Sequence, residues 1–351
     1  MTDKLSKLLA LRPWLLADGA TGSNLFSMGL VSGDAPELWN ATHPERIAAL
    51  VRSFIEVGAD IVLTNSFGGT RYRLMLHQAE GRVGELNRAA ARIARAEADA
   101  SDREIVVAGC IGPTGEILEP LGPLSAEAAR AAFAEQAVAL AEGGVDVLWI
   151  ETMSSKEEFE AAILGARSAG LPIVGTMSFD TNGRTMMALT PGDLAAIHRT
   201  HGLLACGSNC GTGLAELVAS VINLATASEP DAVLVAKSNC GIPKYVDGKI
   251  RYDGTPELMA IYAGLAYDAG ARIIGGCCGT TPAHLRAMRL ALNAHTRGEV
   301  VDVEQLEARL GTVSSGARAQ LKGLLDRASG AAPNAAARRS PASRRRTTGT
   351  A

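Results

Sequence analysis

The chain has 351 residues, 47% of them hydrophobic and 20% charged, with a formal net charge of −3. That is enough apolar material for a large buried core, and it excludes an intrinsically disordered chain as a whole and a polycationic nucleic-acid binder. No apolar run reaches the roughly 18 residues a membrane span needs, the N-terminus shows no secretory cleavage pattern, and six cysteines are too few for a disulfide scaffold.

In chain order, short β-branched or apolar runs predict strands at Trp14–Asp18, Asp60–Thr64, Glu104–Gly109, Val145–Ile150, Leu171–Ser178, Leu203–Asn209, Asp231–Lys237 and Arg272–Gly276. Helices are expected between them. Thr190-Pro191, Thr255-Pro256 and Thr281-Pro282 each set a capping hydroxyl before a proline at the first helical position. Ser155 with Glu158 predicts a capping box. Gly58, Gly143, Gly170, Gly202 and Gly270 stand where helices should stop. Ala126–Glu142 reads as a helix with Phe133 and Val138 on its apolar face.

Eight strands alternating with helices imply a parallel sheet with right-handed crossovers, and the count favours a closed (β/α)8 TIM barrel as a single α/β domain over residues 1–310. A doubly wound dinucleotide fold is the weaker option, because Gly211-Thr212-Gly213 has Glu216 where a third glycine belongs. Residues 311–351 are expected to form a basic, disordered Ala/Arg/Ser tail; from Ala331 on they hold five arginines and no acid. The tail lacks interleaved aromatics, so it is read as solvated, without a nucleic-acid or membrane partner.

A barrel of this kind carries its chemistry at the C-terminal ends of its strands. Those ends are Asp18-Gly19-Ala20-Thr21-Gly22, Thr64-Asn65-Ser66-Phe67, Gly112-Pro113-Thr114-Gly115, Glu151-Thr152, Ser178-Phe179-Asp180, Asn209-Cys210, Asn239-Cys240 and Gly275-Gly276-Cys277-Cys278-Gly279. Two adjacent thiols are better explained by a metal that both reach than by a strained vicinal disulfide, with the flanking glycines letting the backbone turn. Chance adjacency or a redox pair is the plain alternative. A third cysteine would complete three ligands on Zn²⁺ with a fourth position open, the catalytic pattern rather than the structural one. Such an electron-rich site suits a substrate thiol, bound as thiolate, that attacks an electrophilic carbon. Ser-Asn-Cys-Gly occurs at Ser208–Gly211 and again at Ser238–Gly241, so either Cys210 or Cys240 could be that third ligand. Cys110 and Cys206 read as buried small hydrophobes. Glu151 could be a salt-bridge residue and Asp18 a turn former; their place on the rim speaks for more.

Taken together, these strand ends and the run Gly275-Gly276-Cys277-Cys278-Gly279-Thr280-Thr281-Pro282 resemble the homocysteine S-methyltransferases over roughly residues 10–297. The resemblance implies zinc held by Cys210, Cys277 and Cys278, with Cys240 a departure from the family pattern. It implies that Asp18 and Glu151 hold the homocysteine amino group while the backbone at Gly19 and Ala20 meets the carboxylate. The segments Ala35–Asn40 and Met177–Asp180 look like those of bacterial betaine–homocysteine methyltransferases, so betaine is the expected methyl donor. S-methylmethionine, or a methyl carried by a corrinoid protein, is the alternative. Where animal enzymes of the betaine class place tyrosines, this chain has Gly68 and Thr152, which leaves Trp39, Phe67, Tyr72 and Phe179 as aromatic candidates for a cationic donor. The expected partners are homocysteine and a small-molecule donor in a reducing cytoplasm; an oligomer is compatible with this reading. A zinc-storing or redox-sensing barrel is the non-enzymatic alternative.

Overall fold

The computed structural model describes residues 3–246 and 249–324. The barrel strands are β1 (Leu15–Leu16), β2 (Ile61–Leu63), β3 (Val106–Ile111), β4 (Val147–Met153), β5 (Ile173–Met177), β6 (Ala205–Cys210) and β7 (Leu234–Ser238). Two further strands, β8 (Pro243–Val246) and β9 (Lys249–Tyr252), pair antiparallel as a hairpin, and β10 (Ala271–Gly276) is the eighth barrel strand. All barrel pairings are parallel in the order β1-β10-β7-β6-β5-β4-β3-β2, and a bridge between Ala17 and Ile61 joins the two ends into a closed barrel. Each of the eight predicted strands is present. The β8–β9 hairpin was not anticipated.

Closure sorts strand residues by alternation into two cores. Leu15, Ala17, Ile61, Val106, Ala108, Cys110, Val147, Trp149, Val174, Ala205, Val235 and Ile273 fill the lumen, and Leu5, Leu8 and Leu9 of the helix Lys4–Leu11 seal its lower end. The intervening residues, such as Leu16, Val62, Val107, Leu148 and Ile274, face the surrounding helices in the larger core. Among the described residues no helix is long and apolar enough to cross a membrane.

Most helix ends form as the residues dictate. Thr190 and Asp193 close a capping box, Thr255 accepts from the Leu258 N–H, and Thr281 pairs with His284. Three expectations change. Ser155 accepts from the Glu158 N–H, but the Glu158 carboxylate does not close the box; it accepts from Thr114 N at 2.8 Å and Thr114 Oγ1 at 2.6 Å, tying the loop after β3 to the next helix. After the helix Ala126–Glu142 the left-handed turn falls on Gly144 at φ +98°. Gly143 is small instead because a Cβ there would lie 2.4 Å from Ala91 Cβ. Phe133 is fully buried, but Val138 is exposed, lying at the edge of that helix's apolar face.

The boundary expected at residue 311 also moves. Ser314 caps a helix at Ser315–Leu321 that buries Ala317 and Gln320. Buried Glu216 holds it: one oxygen accepts from Gly183 N and Ser314 Oγ, the other from Ser314 N. Low hydrophobicity misleads here because polar anchors, rather than an apolar stripe, dock the helix. The expectation for the rest of the tail falls on residues 325–351, outside the described residues.

At the lower end, Asp60 is fully buried and receives Arg12 at 2.6 Å, Arg289 at 2.8 Å, Arg103 at 3.2 Å and the Leu16 N–H at 3.0 Å. One carboxylate thereby links the chain before β1, the start of β2, and the helix Pro282–Ala294. The arginines reach solvent, which places the loss on Asp60→Asn at the lower end of the range for a broken buried pair, about 3 kcal/mol. Urea unfolding should show that decrease, while metal content is unchanged; an unaltered unfolding midpoint would refute the assignment.

Candidate metal centre and substrate cavity

The upper end of the barrel is polar because the same alternation continues past the apolar layers. Above Cys110, Trp149 and Val235 come Glu151 on β4 and Lys237 on β7, both pointing inward. Lys237 is 2% exposed; its Nζ donates to Asp18 Oδ1 at 2.8 Å and lies 5.7 Å from the centre of the Trp149 ring. Asp18 Oδ2 accepts from the Leu63 N–H at 2.7 Å. Burial pushes the carboxyls of Asp18 and Glu151 up from the usual range, and Lys237 pulls both down. Glu151 Oε1 accepts from the Cys110 thiol at 3.2 Å, while buried Glu151 Oε2 has no hydrogen-bond partner among the described residues. Cys110 is thus a donor to a site carboxylate rather than only a filler; Cys206, buried in the helix-facing core, fits the plainer expectation.

The sulfurs of Cys210, Cys277 and Cys278 all lie within 4.8 Å of one another. Cys210 ends β6 at φ +62°, a left-handed conformation that a residue with a Cβ adopts at a cost of about 1 kcal/mol or more. That turn accompanies the arrival of its thiol beside the β10 pair. Cys277 N donates to Ser238 O, Cys278 N to Asn239 Oδ1, and Asn239 Nδ2 to Gly211 O at 2.7 Å. Asn239 therefore clamps the loop after β10 to the loop after β6. The repeated tetrapeptide is used in two ways: Cys210 joins the cluster, whereas Cys240 is buried with its thiol donating to Gly254 O at 3.3 Å. Of the glycines around the pair only Gly279 turns left-handed, at φ +80°. Gly276 is small because a Cβ would meet the Thr280 side chain at 2.3 Å.

The three thiols lie close enough to influence one another's ionisation. For Cys210 the bond with Cys277 works downward, but the bond with Cys278 and burial push it up to about 12. Cys278, lowered by Cys210 and by the Tyr252 hydroxyl but raised by Cys277 and burial, also lies at about 12. Three soft donors converging from two strand ends, each needing a positive charge to ionise, match a thiophilic divalent cation.

These groups open into a cavity of about 990 Å³ lined also by Gly19, Ala20, Phe26, Glu37, Phe67, Gly68, Arg73, His77, Thr152 and Tyr252. The Ala20 N–H is already engaged by Thr280 O at 3.1 Å, so it is not free for a substrate carboxylate. Of the four aromatic candidates only Phe67 lines the cavity. Trp39 instead packs against His43 and Arg46, and Tyr72 and Phe179 lie outside the lining. Phe26 and Tyr252 take their place. Lys237 could have been found by counting alternate residues up the seventh strand from Val235; Tyr252 could not, because its position depends on the unforeseen hairpin.

Comparison with known proteins agrees with this geometry. A family model described as homocysteine S-methyltransferase matches residues 15–292. The methionine synthase of Mycobacterium tuberculosis (strain ATCC 25618 / H37Rv) is 31% identical over 295 residues, covering 79% of this chain and 24% of that protein. The methionine synthase of Mycobacterium leprae (strain TN) is 30% identical over 303 residues, covering 82% of this chain and 25% of that protein. The chain thus spans about a quarter of the length of these relatives. Among solved structures, the homocysteine methyltransferase MmuM from Escherichia coli superposes in its oxidised form with a TM-score of 0.70 at 25% identity, and in its metallated form with 0.68 at 26%. Each alignment covers 82% of this chain and 99% of that one.

Serine in place of Cys210, Cys277 or Cys278 should lower zinc from one per chain to a small fraction, measured by elemental analysis after loading and desalting. Cys240→Ser should keep it. Equal retention in all four variants would show that the cluster holds no metal.

Proposed function

This chain belongs to the homocysteine S-methyltransferase family, and from that premise we propose that it transfers a methyl group from betaine to homocysteine, giving methionine and dimethylglycine, with zinc on Cys210, Cys277 and Cys278. The observation that carries the reading is the cluster of three thiols lining a cavity that is also lined by Glu151, whose buried Oε2 has no hydrogen-bond partner among the described residues. Zinc bound by three thiolates would hold the sulfur of homocysteine as a thiolate at neutral pH while leaving it nucleophilic.

The protein's own groups orient the amino acid. Glu151 Oε2 is the acceptor left open for the ammonium. Asp18 already has partners on both oxygens, so its part in the grip is shared with Lys237. With both carboxyls ionised, Asp18, Glu151 and Lys237 would leave one negative charge for one ammonium to neutralise. The substrate carboxylate then lies along Gly19 and Ala20, with the Gly19 N–H as donor. In the transfer a sulfur–carbon bond forms as the nitrogen–methyl bond breaks; the electron pair stays on dimethylglycine and the thiol proton goes to solvent. An open cavity beside the thiols favours this chemistry over zinc storage. Six free cysteines fit a reducing compartment such as the cytoplasm.

Zinc-loaded protein given homocysteine and betaine should form methionine, followed by chromatography, with S-methylmethionine and methylcobalamin in parallel. Methionine from S-methylmethionine alone would keep the acceptor and change the donor. Methionine from methylcobalamin alone would point to a corrinoid partner, and none from any donor would refute the reading. Glu151→Gln should raise the homocysteine KM about tenfold or more, as loss of one charge-assisted contact does.

A further inference from the structure

The cavity is also lined by polar groups away from the thiols in sequence and carried by other elements. Glu37 lies on the short turn Pro36–Leu38 and is 5% exposed, yet it lines the cavity. Its Oε1 accepts from the Gly68 N–H at 2.6 Å. Residue 68 has to be small for this: a Cβ built on Gly68 would lie 3.0 Å from Oε1 and 3.4 Å from Oε2. Arg73, on the helix Arg71–Met75, and His77 line the same cavity. Both are near enough for their charge to favour ionised Glu37, although burial raises the group overall. Among the described residues Arg73 has no side-chain hydrogen bond or ion pair, and no ion pair joins it to Glu37. Phe26 and Phe67 supply apolar wall beside them.

A buried carboxyl and a cation without a partner among the described residues, both lining one cavity, fit a ligand that carries both opposite charges. We propose that Glu37 is a specificity-determining residue for the methyl donor, receiving its onium cation while Arg73 receives its carboxylate. The donor class is a small zwitterion with the transferable methyl on a quaternary nitrogen or a sulfonium sulfur. This rests on the reading of the cavity as a methyl-transfer site. A methyl leaves most readily when its loss turns a cation into a neutral amine or sulfide. The attraction of Glu37 for the donor is therefore largest before transfer and fades as the charge is cancelled. It favours binding of the donor and does not lower the barrier to transfer, so its loss shows in donor affinity rather than in a lower kcat.

The test uses the zinc-loaded full chain. Calorimetry without homocysteine, so that no turnover occurs, measures binding of betaine and of choline, which has the same cation and no carboxylate. Glu37→Gln keeps the acceptor for Gly68 N and removes only the charge. It should weaken both ligands about tenfold or more and raise the betaine KM to match, with kcat and the homocysteine KM little changed. Arg73→Met should weaken betaine and leave choline as it was. Gly68→Ala, which displaces the carboxylate, should follow Glu37→Gln; thermal melts of all three establish that they are folded. Unchanged affinities in folded Glu37→Gln, or wild-type protein that binds neither cation, would overturn the proposal. If methionine then still forms from methylcobalamin, the methyl-transfer reading survives that failure. If no donor yields methionine but Glu37→Gln still weakens both cations, the cation site stands and the reaction assigned to it falls.

Discussion

Charge at the mouth of a closed barrel has to be balanced locally, and the 2.8 Å pair between Lys237 and Asp18 meets that requirement. Below it the lumen is apolar and sealed by Leu5, Leu8 and Leu9; above it lies the cavity. An isolated ion at that depth would carry a penalty of several kcal/mol. Lys237 offsets this for Asp18 directly and for Glu151 through its field. The pair spans β1 and β7, strands that both neighbour β10, the strand that presents Cys277 and Cys278. Position of the sulfurs and neutralisation of the carboxylates are consequently one constraint.

The thiol cluster adds a second layer of constraint, borne by the backbone. Cys210 and Thr152 both sit at positive φ, and Asn209 secures the strand that carries one of them to the other. Its Oδ1 accepts from Thr152 N and Thr176 Oγ1, and its Nδ2 donates to Thr152 Oγ1. Asn239 performs the corresponding task between β6 and the loop after β10. Two asparagines in two copies of one tetrapeptide thus hold unfavourable local conformations in place, as expected where geometry serves a ligand more than the fold.

How much of this was legible follows from which forces act locally. The eight strands and the Thr-Pro helix starts are set by near neighbours in sequence, and they were visible. The pair Cys277-Cys278 was visible because adjacent thiols have few other uses. The choice between Cys210 and Cys240 was not visible in the spacing, because both follow a strand with the same tetrapeptide; the family resemblance pointed to Cys210, and in the fold the Cys240 thiol is turned to Gly254 O beside the hairpin β8–β9. The engagement of Glu158 by Thr114, of Glu37 by Gly68 and of Cys110 by Glu151 joins residues 30 or more positions apart. No local pattern encodes such contacts. Aromatic content misled for the same reason: Trp39 and Phe179 are buried for packing, while Phe26, on the helix Gly22–Ser27, and Tyr252, at the end of β9, reach the cavity.

Glu216 has an effect on how the mouth can deform. The loop after β5 is anchored from outside the barrel: Gly183 N is held by Glu216, and Asn182 Oδ1 accepts from Gly316 N at 2.6 Å. Swinging that loop outward would sever several hydrogen bonds, each worth about 1 kcal/mol, and would undock the helix Ser315–Leu321 as well. This side of the rim behaves as a fixed doorpost, so any breathing that opens the cavity to a ligand has to come from the other side of the opening.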